Sequence, residues 1–271
     1  MKLAVSNIAW EHPETPAHLE LLRSLGCAGV ELAPSCIWPE PIDATAAERT
    51  AVRRQLADAG LELVGFHALF FTRPDLELFR DQASRRDLVD YLKGLIHLAA
   101  DLGGRVLVVG SPKNRTRHGR PPAEALPWAA EAYRDAAIEA AKVGVEVCIE
   151  PLPAKETEFI VSSDEGAMLV NLVNHPGFGL HLDAKAMFEQ GEDIAAALGR
   201  HGRSVRHFHV GDPGLAPPGS SGLDHKPIGR ALRAGGYDRY VSIEMRRGFG
   251  PTRDVITQSV NYVRGCYLEE A

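Results

Sequence analysis

The chain has 271 residues, of which 45% are hydrophobic and 24% charged, a composition typical of a globular protein with a large buried core rather than a disordered chain. Its formal net charge is −6 at pH 7, so the chain has no excess of basic residues for binding a phosphate backbone, and nucleic acid is not expected as a partner. No stretch approaches the ~18 consecutive apolar residues of a membrane-spanning helix, so we expect no membrane contact.

Eight short segments rich in aliphatic residues recur along the chain and predict β-strands. In chain order they are 3–10 (LAVSNIAW), 29–33 (GVELA), 61–69 (LELVGFHAL), 105–111 (RVLVVGS), 145–151 (VEVCIEP), 178–183 (FGLHLD), 205–211 (VRHFHVG) and 240–245 (YVSIEM). Helical periodicity fills the intervals, as in 81–102, where Leu88, Leu92 and Leu95 share one face. Four glycines stand between a helical segment and the next strand, where a left-handed C-terminal cap is expected: Gly26, Gly60, Gly103 and Gly144.

This regular alternation of strand and helix predicts an α/β protein with a parallel sheet. Eight repeats fit a closed (β/α)₈ TIM barrel, formed as a single domain over residues 1–271. The alternative is an open doubly wound sheet, but the first strand is not followed by the G-x-G-x-x-G turn of that fold. The Pro-, Gly- and Ser-rich stretch 211–225 is interpreted as a long loop after strand seven rather than as a linker between domains.

Strands five to eight each end on a side chain that can bind a cation: Glu150, Asp183, His209 and Glu244. Because the carboxyl ends of barrel strands meet on one face, we expect these four side chains to lie together. Grouped carboxylates raise one another's pKa unless a cation lies among them. One imidazole with three carboxylates suits a divalent metal, Mn²⁺ first and Mg²⁺, Co²⁺ or Zn²⁺ as alternatives. The competing interpretation is that each acid separately caps a helix or lies on the surface.

A metal flanked by two glutamates suggests proton transfer next to a carbonyl. A bound hydroxy-ketone would lose its C–H proton to give a metal-stabilised enediolate, with Glu150 and Glu244 as base and acid. The predicted activity is that of an isomerase or epimerase of a sugar or sugar derivative. A metal-dependent lyase or dehydratase on a keto-sugar or keto-cyclitol is the alternative, followed by a non-catalytic sugar-binding barrel and a phosphodiesterase.

Four motifs carry a resemblance to a known family: IEP at 149–151, HLD at 181–183, HFHVGD at 207–212, and DHKPIGRALRAGGYDRYVSIEM at 224–245. Over essentially its whole length the chain resembles the xylose-isomerase-like sugar phosphate isomerase and epimerase barrels, which include D-tagatose 3-epimerase and inosose-processing enzymes. The resemblance implies a metal held by Glu150, Asp183, His209 and Glu244, with the two glutamates as catalytic acid and base.

The same resemblance implies a substrate-side role for Glu156, and His67 matches a metal-binding histidine of the endonuclease IV branch. Some positions depart from the family's patterns. A substrate-binding histidine of the ketose epimerases falls on Ala186, and an arginine expected after HVGD is missing from PGLAPP at 213–218. Further histidines that the endonuclease branch uses fall on Gly110 and Ala186.

Other candidate substrate contacts follow the strands. Lys113 and Arg115, in the basic segment 110–120, would bind a phosphate or carboxylate unless the segment is a solvated loop. Lys185 is a candidate replacement for the absent histidine, with a surface lysine as the alternative. Trp10, at the end of strand one, would line a sugar pocket. His67, at the end of strand three, would contact substrate or metal. Ordinary core packing is the alternative for both.

The four cysteines show neither close pairing nor disulfide-rich density, so we expect reduced thiols. The apolar run near Met1 is broken at Ser6 and Asn7, which makes it shorter than the core of a secretory signal. We therefore predict a cytoplasmic protein that acts on a small-molecule carbohydrate, and homo-oligomer formation is left open.

Overall fold

The computed structural model describes residues 1–269, so the last two residues of the predicted domain lie outside the described range. Within it the eight strands pair in parallel and in sequence order, and β1 closes the ring against β8. The strands are β1 (Lys2–Ser6), β2 (Gly29–Leu32), β3 (Glu62–Phe66), β4 (Val106–Val109), β5 (Glu146–Ile149), β6 (Phe178–Asp183), β7 (Val205–Val210) and β8 (Tyr240–Ile243). The (β/α)₈ prediction is confirmed.

Helices connect successive strands around the outside of the barrel. They are α1 (Thr15–Ser24), α2 (Ala46–Ala59), α3 (Gln82–Leu102), α4 (Pro122–Lys142), α5 (Ser163–Val173), α6 (Ala184–Gln190), α7 (Ile194–His201), α8 (His225–Ala234) and α9 (Thr252–Tyr267). Two of the glycines expected at helix ends cap α2 and α3 with left-handed backbone, Gly60 at φ 66° and Gly103 at φ 91°. Among the described residues no helix is long and apolar enough to cross a membrane.

One continuous apolar cluster holds the helices on the barrel. It joins strand residues such as Leu107 and Leu180 to helix residues such as Leu92 and Leu95 of α3, all of them fully buried. Burial of side chains of this size contributes about 1.5–3 kcal/mol each. The four cysteines are free thiols, as expected.

The centre of the barrel is polar instead. Glu31, His181 and His207 are at most 1% exposed. The Glu31 carboxylate receives hydrogen bonds from His207 and His209 of β7. Hydrogen bonds compensate for the burial of Glu31 and His207, whereas neither ring nitrogen of His181 has a hydrogen-bond partner among the described residues.

The loop at 211–224, between β7 and α8, is held down by a buried carboxylate. Asp212 Oδ2 accepts from the Ser221 amide at 2.8 Å and from its hydroxyl at 2.9 Å, while Oδ1 lies 2.8 Å from His225 Nε2. His225 Nδ1 in turn lies 2.7 Å from the Tyr267 hydroxyl. The predicted long loop is therefore present and is tied to α8 and α9.

Candidate active site

A cavity of about 460 Å³ lies at the carboxyl ends of the strands. Three of the carboxylates that line it lie at strand ends, Glu150 just after β5, Asp183 at the end of β6 and Glu244 just after β8. His209 of β7 lies beside them, because Glu150, Asp183 and His209 each offer a ligand atom within 4.8 Å of the others. The ends of four successive strands thus converge at one place, as the strand order requires.

Glu244 is held by two histidines. Its Oε1 lies 3.1 Å from His67 Nδ1, and its Oε2 lies 3.3 Å from His209 Nδ1. His67 Nε2 is 2.5 Å from the Ser6 hydroxyl, so Ser6 can donate to Nε2 while Nδ1–H donates to the carboxylate. The Glu244 carboxylate thus lies between the two rings and lines the cavity.

Glu150 occupies space that a glycine leaves free. A Cβ on Gly110 would overlap the Glu150 carboxylate, so any other residue there would displace the acid. The Arg115 guanidinium donates to the Glu150 carbonyl at 2.7 Å and fixes the backbone of the same residue from behind. Asp183 is fixed differently, since its Oδ1 accepts from the Lys185 amide at 2.7 Å and caps α6. It is therefore both a helix cap and a cavity residue.

The charges at this site are unevenly stabilised. Burial, followed by the charges of Asp183 and Glu244, raises the pKa of Glu150 to about 8. Burial and Glu244 likewise raise the pKa of Asp183 to about 7. Burial also opposes ionisation of Glu244, but His209 and His67 outweigh it and hold the pKa of this carboxyl well below its usual range. Two of the three acids therefore favour protonation near neutral pH unless a cation neutralises them.

The donor set fits a divalent cation. His209 Nδ1 is buried and makes no hydrogen bond within the described residues, although it faces the Glu244 carboxylate. An imidazole nitrogen without a partner, directed at a group of carboxylates, is the arrangement that a metal ligand requires. Glu150, Asp183, His209 and Glu244 are the residues that would hold the ion.

Sequence reasoning missed Glu31 and His207, which lie beneath this group. Glu31 is fully buried and lies 3.0 Å from His209 Nε2 and 3.1 Å from His207 Nε2. Burial opposes its charge, yet the two histidines hold the pKa of Glu31 well below its ordinary value. The available signal was an acid inside the apolar run GVELA, together with two histidines at alternate positions in VRHFHVG.

Four of the candidate substrate contacts line the cavity: His67, Lys113, Glu156 and Lys185. The Lys185 ammonium lies 2.9 Å from Glu156 Oε1 and 3.5 Å from Glu189 Oε2. Burial opposes its charge, but Glu156 and Asp183 raise the pKa of Lys185 above its usual value and keep it charged.

Trp10 and Arg115 lie elsewhere, and the structure does not support the prediction that they contact substrate. Trp10 is 1% exposed, its indole donates to the Thr15 hydroxyl at 3.1 Å, and its ring packs against His18. Arg115 is also 1% exposed and lies behind Glu150. Both side chains are buried by packing that periodicity could not reveal.

The rest of the cavity wall is largely apolar. Phe70, Leu152 and Leu215 line it, together with Phe71, whose side chain is 79% exposed. Leu215 lies in the PGLAPP segment, where the ketose epimerases were expected to carry an arginine, and Ala186 is buried and does not line the cavity.

Comparisons with known proteins find relatives among sugar epimerases and isomerases. A D-psicose 3-epimerase from Ruminiclostridium cellulolyticum is 31% identical over 114 residues, which cover 42% of this chain and 39% of that protein. The chain thus matches less than half the length of that relative. A putative hydroxypyruvate isomerase from Streptomyces coelicolor is 26% identical over 234 residues, covering 80% of this chain and 81% of that one.

A solved structure extends the likeness to the whole fold. The IOLI protein with a bound zinc atom superposes with a TM-score of 0.80 at 18% identity, covering 99% of this chain and 100% of that one. The family model described as xylose isomerase-like TIM barrel matches residues 19–266. This chain belongs to the xylose isomerase-like TIM barrel family.

Proposed function

We propose that this protein is a divalent-metal-dependent isomerase or epimerase that moves a proton at a carbon next to the carbonyl of a sugar or sugar derivative. The observation that carries the proposal is the meeting of Glu150, Asp183, His209 and Glu244 at the floor of one cavity. The names of the epimerase and isomerase relatives support the same class of reaction. Lys113, exposed at the cavity, is proposed to bind an anionic or hydroxyl group of the substrate.

The proposed metal is Mn²⁺, with Mg²⁺, Co²⁺ or Zn²⁺ as alternatives, because three carboxylates and one imidazole form a mixed hard and borderline ligand set. When bound, the ion would stabilise the negative charge that develops on a hydroxy-ketone as its C–H proton leaves. The zinc atom in the IOLI structure supports the proposal of a bound metal in a barrel of this fold.

The two glutamates are suited to different halves of a proton transfer. Glu244 is kept ionised by His67 and His209, so it can accept a proton from a substrate carbon. Glu150 lines the same cavity, and we propose that it returns a proton to the substrate.

Substrate hydroxyls would meet the Lys185 and Glu156 pair. The ammonium has hydrogen atoms beyond those directed at its two carboxylate partners, and the carboxylate can accept from a hydroxyl. We propose that this pair, with His67, orients the sugar. Lys185 thereby serves in place of the histidine missing at Ala186.

The apolar wall favours a substrate with a less polar substituent than a free ketose has. Leu215 and the exposed Phe71 offer contact area but no hydrogen bond to a hydroxyl. A keto-sugar that carries an alkyl or aryl group would bury that group here. Leu215→Arg should then shift kcat/KM toward free ketoses by about tenfold or more, which is an effect of ~1.4 kcal/mol. An unchanged ratio would remove this part of the proposal.

The central test is proton exchange. Free and substituted ketoses would be incubated in D₂O with Mn²⁺-loaded protein, and deuterium next to the carbonyl would be followed by mass spectrometry. Glu244→Gln should abolish exchange, whereas Glu131→Gln, at a side chain 65% exposed, should leave it unchanged. Absence of exchange and turnover across the panel would overturn the proposal. Expulsion of a β-substituent would instead identify a lyase.

A further inference from the structure

We propose that Glu31 is a positioning residue that fixes the tautomer and ring orientation of His209, so that Nδ1 presents its lone pair to the metal. The inference rests on the proposed metal site and adds a residue that lies outside the cavity. Glu31 belongs to β2, whereas the proposed ligands lie in or just after β5, β6, β7 and β8.

The contact is direct and fully buried. Glu31 Oε2 lies 3.0 Å from His209 Nε2, and both side chains are at most 1% exposed. A carboxylate can only accept, so the proton of this hydrogen bond is on Nε2. The nitrogen left to bind a metal is then Nδ1, which faces Glu244 and makes no hydrogen bond to the described residues.

The second oxygen of Glu31 is occupied as well. His207 Nε2 lies 3.1 Å from Oε1, so the carboxylate is held between two rings of the same strand. Neither oxygen can turn toward the cavity without breaking one of these bonds. Glu31 therefore acts through His209 and is not itself placed to bind the metal.

The same bonds occupy nitrogens that a metal site on the three neighbouring histidines would need. His181, His207 and His209 offer nitrogens within 4.8 Å of one another. The Nε2 atoms of His207 and His209 are both directed at Glu31, however. The Glu31 carboxylate thus fixes the ring orientations of His207 and His209.

The first measurement is metal affinity in the full chain. Glu31→Gln keeps the shape of the side chain but can accept from only one histidine and presents an amide N–H to the other. Loss of a carboxylate that orients a metal-binding histidine typically costs 10–100-fold in affinity, so Mn²⁺ titration calorimetry of chelator-treated protein should show a loss of about that size. Glu62→Gln, the same substitution at a side chain 63% exposed, should bind Mn²⁺ like the wild type.

A second measurement reads the His209 tautomer directly in the wild-type protein, and a variant serves only to assign the signal. In Zn²⁺-loaded, ¹⁵N-histidine-labelled wild-type protein, the His209 signal, identified by its loss in His209→Asn, should show the proton on Nε2 and the metal on Nδ1. A proton on Nδ1, or equal Mn²⁺ affinity in wild type and Glu31→Gln, would overturn the inference. Failure of the wild type to bind any of these metals would instead refute the proposed metal-dependent function.

Discussion

Replacing Glu150 by Gln should stabilise the metal-free protein while removing its metal site. Glu150 is 7% exposed, and its pKa is raised from 4.5 to about 8 in the folded state. Stability that is present below pH 4.5 is therefore lost as the pH rises toward 8, because the unfolded chain ionises first. One pKa unit corresponds to ~1.36 kcal/mol, so at pH 7 the folded protein loses roughly 3 kcal/mol. Gln resembles the protonated acid and removes this loss.

The assay is thermal unfolding of both proteins in chelator at pH 5 to 8. At pH 5 the melting temperatures should nearly coincide, and at pH 7 the variant should melt several degrees higher, since 1 kcal/mol shifts Tm by about 2–4 °C in a chain of this size class. Glu131→Gln, exposed on α4, should track the wild type at each pH. A gap that does not change with pH would refute the reasoning.

Adding Mn²⁺ should reverse the order. Wild-type protein at 1,000 times its Kd should gain about 4.1 kcal/mol, which exceeds the advantage of the metal-free variant at pH 7, whereas Glu150→Gln has lost a ligand and should gain little. Equal stabilisation of both proteins would show that Glu150 does not bind the metal.

Three further predictions concern other parts of the site and its support. Gly110→Ala should displace the Glu150 carboxylate and weaken Mn²⁺ binding at least tenfold in calorimetry, while Gly202→Ala, which meets no atom within 4 Å, should not. Mn²⁺ affinity should rise from pH 6 to 8 and binding should release protons, because Asp183 and Glu150 must ionise. Calorimetry in buffers of different ionisation enthalpy should detect this release of protons. Binding without proton release would contradict the raised pKa of both carboxyl groups. Asp212→Asn should lower the free energy of unfolding, measured in urea, by about 2–3 kcal/mol, because it disrupts a buried charged network. Asp238→Asn, at an exposed side chain, should have little effect. An equal effect of both substitutions would argue against a stabilising role of the Asp212 network.

The barrel and the proposed metal ligands were accessible from sequence because both follow from periodicity and strand order. Once eight strands are numbered, the residues that end strands five to eight must meet, whatever their separation in sequence. The strand ends were less accessible. The third segment was predicted as 61–69, yet β3 ends at Phe66, and Ala68 has a φ of 51°. Leu69 and Phe70 remain buried because the following loop packs inward, so apolar composition alone could not separate strand from loop.

Contacts between side chains from distant strands were the part that sequence could not supply. Glu31 stands alone in an apolar run, and only the closed barrel brings it against His207 and His209. The position of Arg115 was also not accessible from sequence. A basic segment predicts solvent exposure, but this guanidinium is buried and donates to the Glu150 carbonyl. In both cases the three-dimensional partner, not the residue type, decides the role.

The clamp formed by Asp212 and His225 has a consequence for how the substrate range of such a barrel can change. Because the carboxylate binds Ser221 at one side and the α8 terminus at the other, the backbone of the intervening segment is anchored independently of its side chains. We therefore expect that Leu215 can be exchanged without loss of the fold. Residues 213–220 would then act as a segment whose side chains can change ligand preference, except at Gly214 and Gly219, where the left-handed backbone disfavours any other residue.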